Sequence, residues 1–281
     1  MAALDGLLYF PSCTDEVIFS SDTRSKPAGW DFVASGDAFS PAKKRSFDRD
    51  RLLVKARELG LSRPKSHSSA AWIALIACAA IDQSLLQRRI SLFVSSSSAP
   101  QEVSYRFEAA ILEDDGAVLD PFWLPNTLPS AVATSVFSAL KLKGTAFGVP
   151  GGVHGLISAL SCANESLASG RSDVAIVVVV EAMSDYCESL GVYVPDGCVG
   201  LIQKTEERNG APIPWLASVD ALDTGPLPVF CDISQTDFLS GLKVAALLYR
   251  TICEPAALGA RPILRVRETG DCWEIKPSNS I

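Results

Sequence analysis

Residues 173–180 read Asp-Val-Ala-Ile-Val-Val-Val-Val, and this run constrains the fold more than any other feature of the chain. A strand that is apolar at every position, and not at every second one, needs cover on both faces, so it belongs in the middle of a sheet between helical layers. The surrounding periodicity agrees. Helical spacing at residues 48–59, 69–86, 101–112, 131–140 and 153–169 alternates with strand patterns at 90–94, 145–149 and 197–202. Such alternation predicts an α/β fold around a buried central sheet.

Local signals place the joints. The 69–86 stretch is small and apolar nearly all round, which predicts a buried helix. Four serines at 95–98 read as a polar turn, and Pro121, Pro125 and Pro129 punctuate the passage before the next helix. Lys143 and Gly144 are expected to end the helix at 131–140, and Gly170 the helix at 153–169, whose apolar or small residues at 156, 160, 163 and 167 form one face. Outside this block the signals thin. Short strands are expected at 7–10 and 17–19, a further strand at 215–219, one amphipathic helix at about 235–253 and a strand pair at 263–275.

Composition narrows the function classes. The 281 residues carry a net charge of −7, which argues against a nucleic-acid partner, because binding phosphates requires clustered Lys and Arg to displace counterions. The main basic cluster, Lys43, Lys44, Arg45, Arg49 and Arg51, is interrupted by Asp48 and Asp50 and reads as a solvated helix start. No basic segment leads into an apolar one at the N-terminus, and the apolar run at 70–81 is too short to span a bilayer, so a cytoplasmic protein with no membrane partner is expected. Eight cysteines lie without C-x-x-C spacing, several inside apolar runs where a free thiol acts as a small hydrophobe. His67 and His154 are the only histidines, which excludes a histidine-rich metal centre. No G-x-S-x-G elbow, P-loop or H-E-x-x-H occurs, and the glycines at 148, 151, 152 and 155 lack dinucleotide-turn spacing. No cofactor is implied.

Three landmarks carry a family resemblance: Asp-Pro-Phe-Trp-Leu-Pro-Asn-Thr-Leu-Pro at 120–129, Leu-Lys-Gly at 142–144, and Gly170-Arg-Ser-Asp173 running into a strand that ends in Glu181-Ala182. Over about residues 48–220 the chain resembles the N-terminal half of a β-ketoacyl synthase. The resemblance implies a thiolase-like layered αβαβα scaffold, here with a reduced C-terminal half: a ketosynthase-like domain at 1–222 and a vestigial half at 223–281 packed on the same core.

In that family the strand after Lys-Gly leads to a nucleophilic Cys at the start of a long buried helix, where the helix dipole and free N–H groups lower the thiol pKa. Counting from the landmarks, that position is Val153. Valine can carry no acyl group. Cys162 lies nine residues farther on and is expected to be an inert core thiol. The family's two later histidines are also missing: residues 235–246 resemble the helix that carries one of them, with the His lost, and no histidine follows His154.

The chain is therefore similar to the chain-length-factor subunits that pair with an active ketosynthase. What this implies is a non-catalytic subunit whose strand at 145–149, with Thr145, Phe147, Val149 and the adjacent His154, meets a catalytic ketosynthase partner in a heterodimer. Substrate would arrive on acyl carrier protein through that partner. Tyr105 and Phe107 in the helix at 101–112, together with Phe122 and Trp123, would form the floor of the partner's acyl tunnel. Two other readings stay open: a thiolase-fold acyltransferase using a non-Cys residue such as His154, and an acyl-chain-binding protein without a catalytic partner.

Overall fold

The strand at the centre of the argument is β5 (Val174–Glu181), and every one of its residues is buried. The computed structural model describes the backbone of residues 2–10, 18–20, 49–81, 83–113, 121–190, 197–205, 216–218, 229–232, 264–268 and 271–275, and the side chains of 49–81, 83–112, 121–152, 154–190 and 197–202. β5 pairs in parallel with β3 (Arg89–Ser96), which pairs in parallel with β4 (Lys143–Pro150). On its other side β5 runs antiparallel to β6 (Gly197–Thr205), and β1 (Ala2–Phe10) and β2 (Ile18–Ser20) continue the sheet. The order is β2-β1-β6-β5-β3-β4, so among the described strands β4 is at the edge.

Helices cover both faces, as the apolar run requires. On one side α1 (Arg49–Glu58), α2 (Ser69–Ala79) and α5 (Ala131–Ala139) share a core with Ile90, Leu92 and Val94 of β3 and Val174, Ile176, Val178 and Val180 of β5. α6 (Gly152–Ala168) packs across the opposite face, against β3 and β5. Its buried stripe is Leu156, Leu160, Ala163 and Leu167, the face read from the sequence. Burying each branched or long apolar side chain contributes about 1.5–3 kcal/mol, so the two-sided cover of β5 is a principal source of stability.

The ends of the helices explain where the sequence reading succeeded and failed. α6 stops at Gly170, which takes φ +66 while Gly170 N–H donates to the Leu167 carbonyl and Arg171 N–H to that of Ser166, a Schellman closure. α5 closes in the same way, yet its left-handed residue is Lys141 (φ 52), not Gly144 as expected. Gly144 is needed one step later, inside β4. There its φ is +127, and a Cβ would stand 2.0 Å from the Ile90 carbonyl oxygen. The expected single helix at 69–86 is two: α2 ends when Ala80 and Ile81 close with bonds to Ala77 and Cys78, three residues back, and a short α3 (Gln83–Leu86) follows. Only part of the serine run is a turn, since Ser95 and Ser96 belong to β3 and Ser98 opens α4 (Ser98–Glu113).

A second sheet joins β7 (Leu216–Ser218), β8 (Val229–Asp232), β9 (Leu264–Glu268) and β10 (Asp271–Ile275) in the order β7-β10-β9-β8. β9 and β10 form the strand pair expected at 263–275, whereas β8 was not anticipated. β7 lies before residue 222, yet it pairs with β10, which lies after it. The helix expected at 235–253 lies outside the described residues, as do Lys43, Lys44 and Arg45. Among the described residues no helix is long and apolar enough to cross a membrane.

Two glycines, one in α6 and one just past its end, separate steric from conformational demand. A Cβ on Gly155 would stand 1.6 Å from the Pro150 carbonyl oxygen, whereas one on Gly170 meets nothing within 4 Å and suffers only from its positive φ. Gly170→Ala is expected to lose about 1–2 kcal/mol, the penalty of a left-handed alanine, and Gly155→Ala distinctly more. Urea unfolding followed by the fluorescence of buried Trp72 measures both; equal losses would contradict the close approach of α6 to β4.

Candidate functional site

Val153, the position at which the resemblance leads one to expect the ketosynthase nucleophile, lies where β4 turns into α6. The turn is tight because small residues line it: a Cβ on Gly151 would stand 1.8 Å from Ser97 Oγ, and Ser95 Oγ donates to the Pro150 carbonyl at 2.9 Å. Ser97 and Ser98 are fixed in turn by the buried Glu181, whose carboxylate accepts from their two backbone N–H groups at 2.8 and 2.9 Å. Burial pushes the Glu181 carboxyl above its ordinary range, against the lowering effect of those bonds. Glu181 is thus a positioning residue for the β4–α6 junction. In the sequence it served as a landmark at the end of a strand, with no sign of this positioning role.

At the helix start itself, Gly151 is the N-cap, Gly152 the first residue and Val153 the second. The Val153 side chain lies outside the described residues; His154, next in line, is exposed. The described thiols differ in their surroundings. Burial pushes Cys78 up to about 12 and Cys198 well above the ordinary thiol range, so both stay protonated, and Cys187 is buried beside Ser184. Cys162 corrects an expectation: it is exposed, not a core thiol. The buried stripe of α6 passes through Leu160 and Ala163, and two further residues of helical rotation carry position 162 to the side away from the sheet.

Beside this junction runs the open edge of β4. Thr145, Phe147 and Val149 alternate along it and so share one face. Thr145 Oγ1 lies 3.1 Å from Ser91 Oγ, the first link of a hydroxyl chain that continues to Ser166 at 2.7 Å and from there to Ser172 at 3.0 Å. Phe147 stacks on Phe93 with ring centroids 5.3 Å apart and remains 47% exposed. Pro129 and Ser130 press on the other face of β4 at Gly148, and just before them Leu124 and Leu128 are 60% and 54% exposed. The three β4 residues therefore meet in one row next to the start of α6.

The four aromatics expected to line a tunnel lie on two segments, α4 and the stretch that leads into α5. Tyr105 and Phe107 are half-buried on α4, where the Tyr105 ring packs 5.7 Å from Tyr186. Phe122 is exposed with the Arg63 guanidinium 3.6 Å over its ring, and Trp123 is half-buried.

A cavity of about 360 Å³ lies on the outer side of α5, between the loop after α1 and the segment that leads into α5, and none of these four aromatics lines it. His67 forms part of its wall. The imidazole Nδ1 is 2.9 Å from Ser135 Oγ, and Arg106 donates to the His67 carbonyl at 3.0 Å while pairing with the buried Glu102. Glu102 also accepts from the N–H and hydroxyl of Ser69, at the first turn of α2. Nothing in the sequence marked His67, because its partners come from 39 and 68 residues away.

No protein-family model and no curated protein matches the sequence. Solved structures do. The ishigamide ketosynthase/chain length factor superposes with a TM-score of 0.65 at 11% identity, covering 98% of each chain. A type II polyketide ketosynthase in complex with its acyl-carrier protein and bound to the hexaketide gives 0.66 at 11% identity over 99% of each chain. The fold is that of the ketosynthases. A ketosynthase in complex with its chain length factor from Xenorhabdus doucetiae adds a TM-score of 0.57 at 13% identity, over 98% of this chain and 99% of that one. The layered thiolase-like α/β scaffold expected from the sequence is thus present; the alignments span nearly the whole of both chains and do not themselves mark a reduced C-terminal half.

Burial holds the His67 imidazole below its ordinary value of 6.5, the Ser62 carbonyl opposing this and the Arg106 charge adding to it. An unfolded histidine takes its proton first as the pH falls. The stability that His67 confers is therefore full above the ordinary histidine range and is lost as pH drops through the folded value beneath it. Glu181, held above its ordinary range, acts in the opposite sense, so the comparison must be with a variant. Between pH 7.5 and pH 5 the urea midpoint of the wild type should fall more than that of His67→Gln; parallel curves would contradict a desolvated imidazole.

Proposed function

We propose that this chain is a non-catalytic ketosynthase-like subunit that pairs through the open edge of β4 with an active β-ketoacyl synthase. The observation that carries the reading is one juxtaposition: a strand that is at the edge among the described strands runs directly into a helix whose second residue is Val153, the position at which the sequence resemblance would put a ketosynthase thiolate. An edge strand offers a row of unpaired N–H and C=O groups, which monomeric proteins shorten, charge or cover. β4 keeps eight residues, with charge only at Lys143 and an exposed aromatic ring in the middle. Antiparallel pairing with the equivalent strand of the partner satisfies the edge and buries Phe147 together with Leu124 and Leu128. Obligate interfaces of this kind bury on the order of 2,000 Å² or more.

The division of labour follows from the side chains. The partner supplies the thiolate and receives acyl groups from an acyl carrier protein; this chain supplies wall. Tyr105, Phe107, Phe122 and Trp123 limit the partner's tunnel, in which each further buried CH₂ of a growing chain contributes about 0.8 kcal/mol until a wall residue stops it. His154, exposed beside the edge, belongs to the interface.

Co-expression with a ketosynthase that carries the Cys and both histidines tests the reading. The two chains should co-purify, and intact mass after incubation with an acyl thioester should show the acyl group on the partner alone. Phe147→Asp should abolish co-purification while the melting temperature of this chain changes little, because Phe147 is half-exposed. A stable acyl adduct on this chain, at His154 or at any cysteine, would overturn the silent-subunit reading in favour of a thiolase-fold acyltransferase. A well-behaved monomer that ignores the ketosynthase would overturn the pairing.

A further inference from the structure

Four hydroxyls run in a line from the interior to the edge of the sheet. Ser172 Oγ, between α6 and β5, lies 3.0 Å from Ser166 Oγ of α6, Ser166 Oγ lies 2.7 Å from Ser91 Oγ of β3, and Ser91 Oγ lies 3.1 Å from Thr145 Oγ1 of β4. Ser91 and Ser172 are 1% exposed and Ser166 is 5% exposed, whereas Thr145 is open to water. Among the described residues none of the four hydroxyls has a further partner.

Counting protons fixes the direction of this chain. Each hydroxyl carries one proton and accepts through two lone pairs. Four protons meet three bonds, so one proton has no partner within the chain. On Ser172, Ser166 or Ser91 that proton would be buried and unpaired, at the cost of desolvating a donor. At Thr145 it reaches water. The chain is therefore polarised outward: Ser172 donates to Ser166, Ser166 to Ser91 and Ser91 to Thr145, and Thr145 donates away from the sheet. Hydroxyls aligned in one sense polarise one another, which makes Thr145 a stronger donor than an isolated threonine.

Docking on the β4 edge removes the water that takes this proton. Thr145 shares a face with Phe147, so a partner that covers the ring covers the hydroxyl too. Reversing the chain gives no relief, because the unpaired proton would then sit on buried Ser172. An opposing Lys or Arg brings only donors, and an opposing apolar side chain brings nothing, so each leaves the Thr145 proton unpaired. An oxygen acceptor satisfies it.

We propose that Thr145, oriented by the hydroxyls of Ser172, Ser166 and Ser91, is a specificity-determining donor of the β4 edge, which selects a partner that sets a carbonyl or carboxylate oxygen against it. The assignment rests on the pairing through β4 given under the proposed function and names the chemistry of one position on the partner. Phe147 supplies apolar area to the contact without regard to polarity. Thr145 distinguishes an acceptor from a donor at the same edge.

Two measurements test the polarity and the selection separately. In the isolated chain, Thr145→Val keeps the branched shape that suits a strand but leaves the Ser91 proton no route to water. Its urea midpoint should fall below those of the wild type and of Thr145→Ser, although exposed substitutions ordinarily change stability little. In calorimetric titration with a ketosynthase that carries the Cys and both histidines, Thr145→Ser should bind within about twofold of the wild type, and Thr145→Val at least about tenfold more weakly, the equivalent of about 1.4 kcal/mol. Thr145→Val as stable as Thr145→Ser would overturn the outward polarity, and Thr145→Val binding as tightly as the wild type would overturn the donor assignment. In either case loss of binding by Phe147→Asp leaves the pairing itself standing. A wild type that does not bind overturns the pairing and the assignment with it.

Discussion

Complete burial of β5 is the constraint on which the rest of the structure depends. Six of its eight positions, Val174 and residues 176–180, are β-branched, and a strand of that kind is stable only if both faces are dry. One face requires α2, itself buried almost all round, with α1 and α5 beside it; the other requires α6. Because α6 follows β4 directly, the need to cover β5 also fixes where the β4–α6 turn lies and how closely it must pack. Gly151 and Gly155 sit against Ser97 and Pro150 for that reason, and Glu181, the last residue of β5, holds Ser97 from behind. Packing and site geometry are here one problem.

That geometry gives the helix start its meaning. A helix N-terminus presents free N–H groups and a positive dipole end, which in a ketosynthase activates a thiol. Here the turn and its glycines remain, with valine and histidine at the second and third helical positions. Of the described thiols, Cys78 and Cys198 are held protonated by burial, and Cys162 stands exposed on the outer side of α6. Among the described strands, the one that leads into this helix, β4, stands at the end of the sheet.

Much of the architecture was legible in the residues because periodicity is a local property. The run at 173–180, the stripe at 156, 160, 163 and 167, and Gly170 as a helix stop each depend on contacts that the spacing itself implies. The errors share a cause. Lys141, and not Gly144, closes α5, whereas Gly144 is required by a strand contact 54 residues away, at Ile90, and spacing carries no record of that. The exposure of Cys162 depends on which side of α6 meets the sheet. His67 was equally invisible, since Arg106 and Ser135 come to it from other helices. Val153 could be singled out only through landmarks that resemble a family's, because a valine in a helix carries no chemical signal of its own.

The central claim is that the bare edge of β4 is a docking strand, and amide hydrogen exchange across residues 144–149 tests it most directly. In the chain alone, the N–H groups of β4 that do not bond to β3 should exchange rapidly, while those of β5 are protected. Adding a complete ketosynthase should slow the β4 amides by at least about tenfold and leave those of β5 unchanged, since a newly paired edge behaves as an interior strand. Exchange at β4 that is already slow in the isolated chain, or that is unaffected by the partner, would contradict the account.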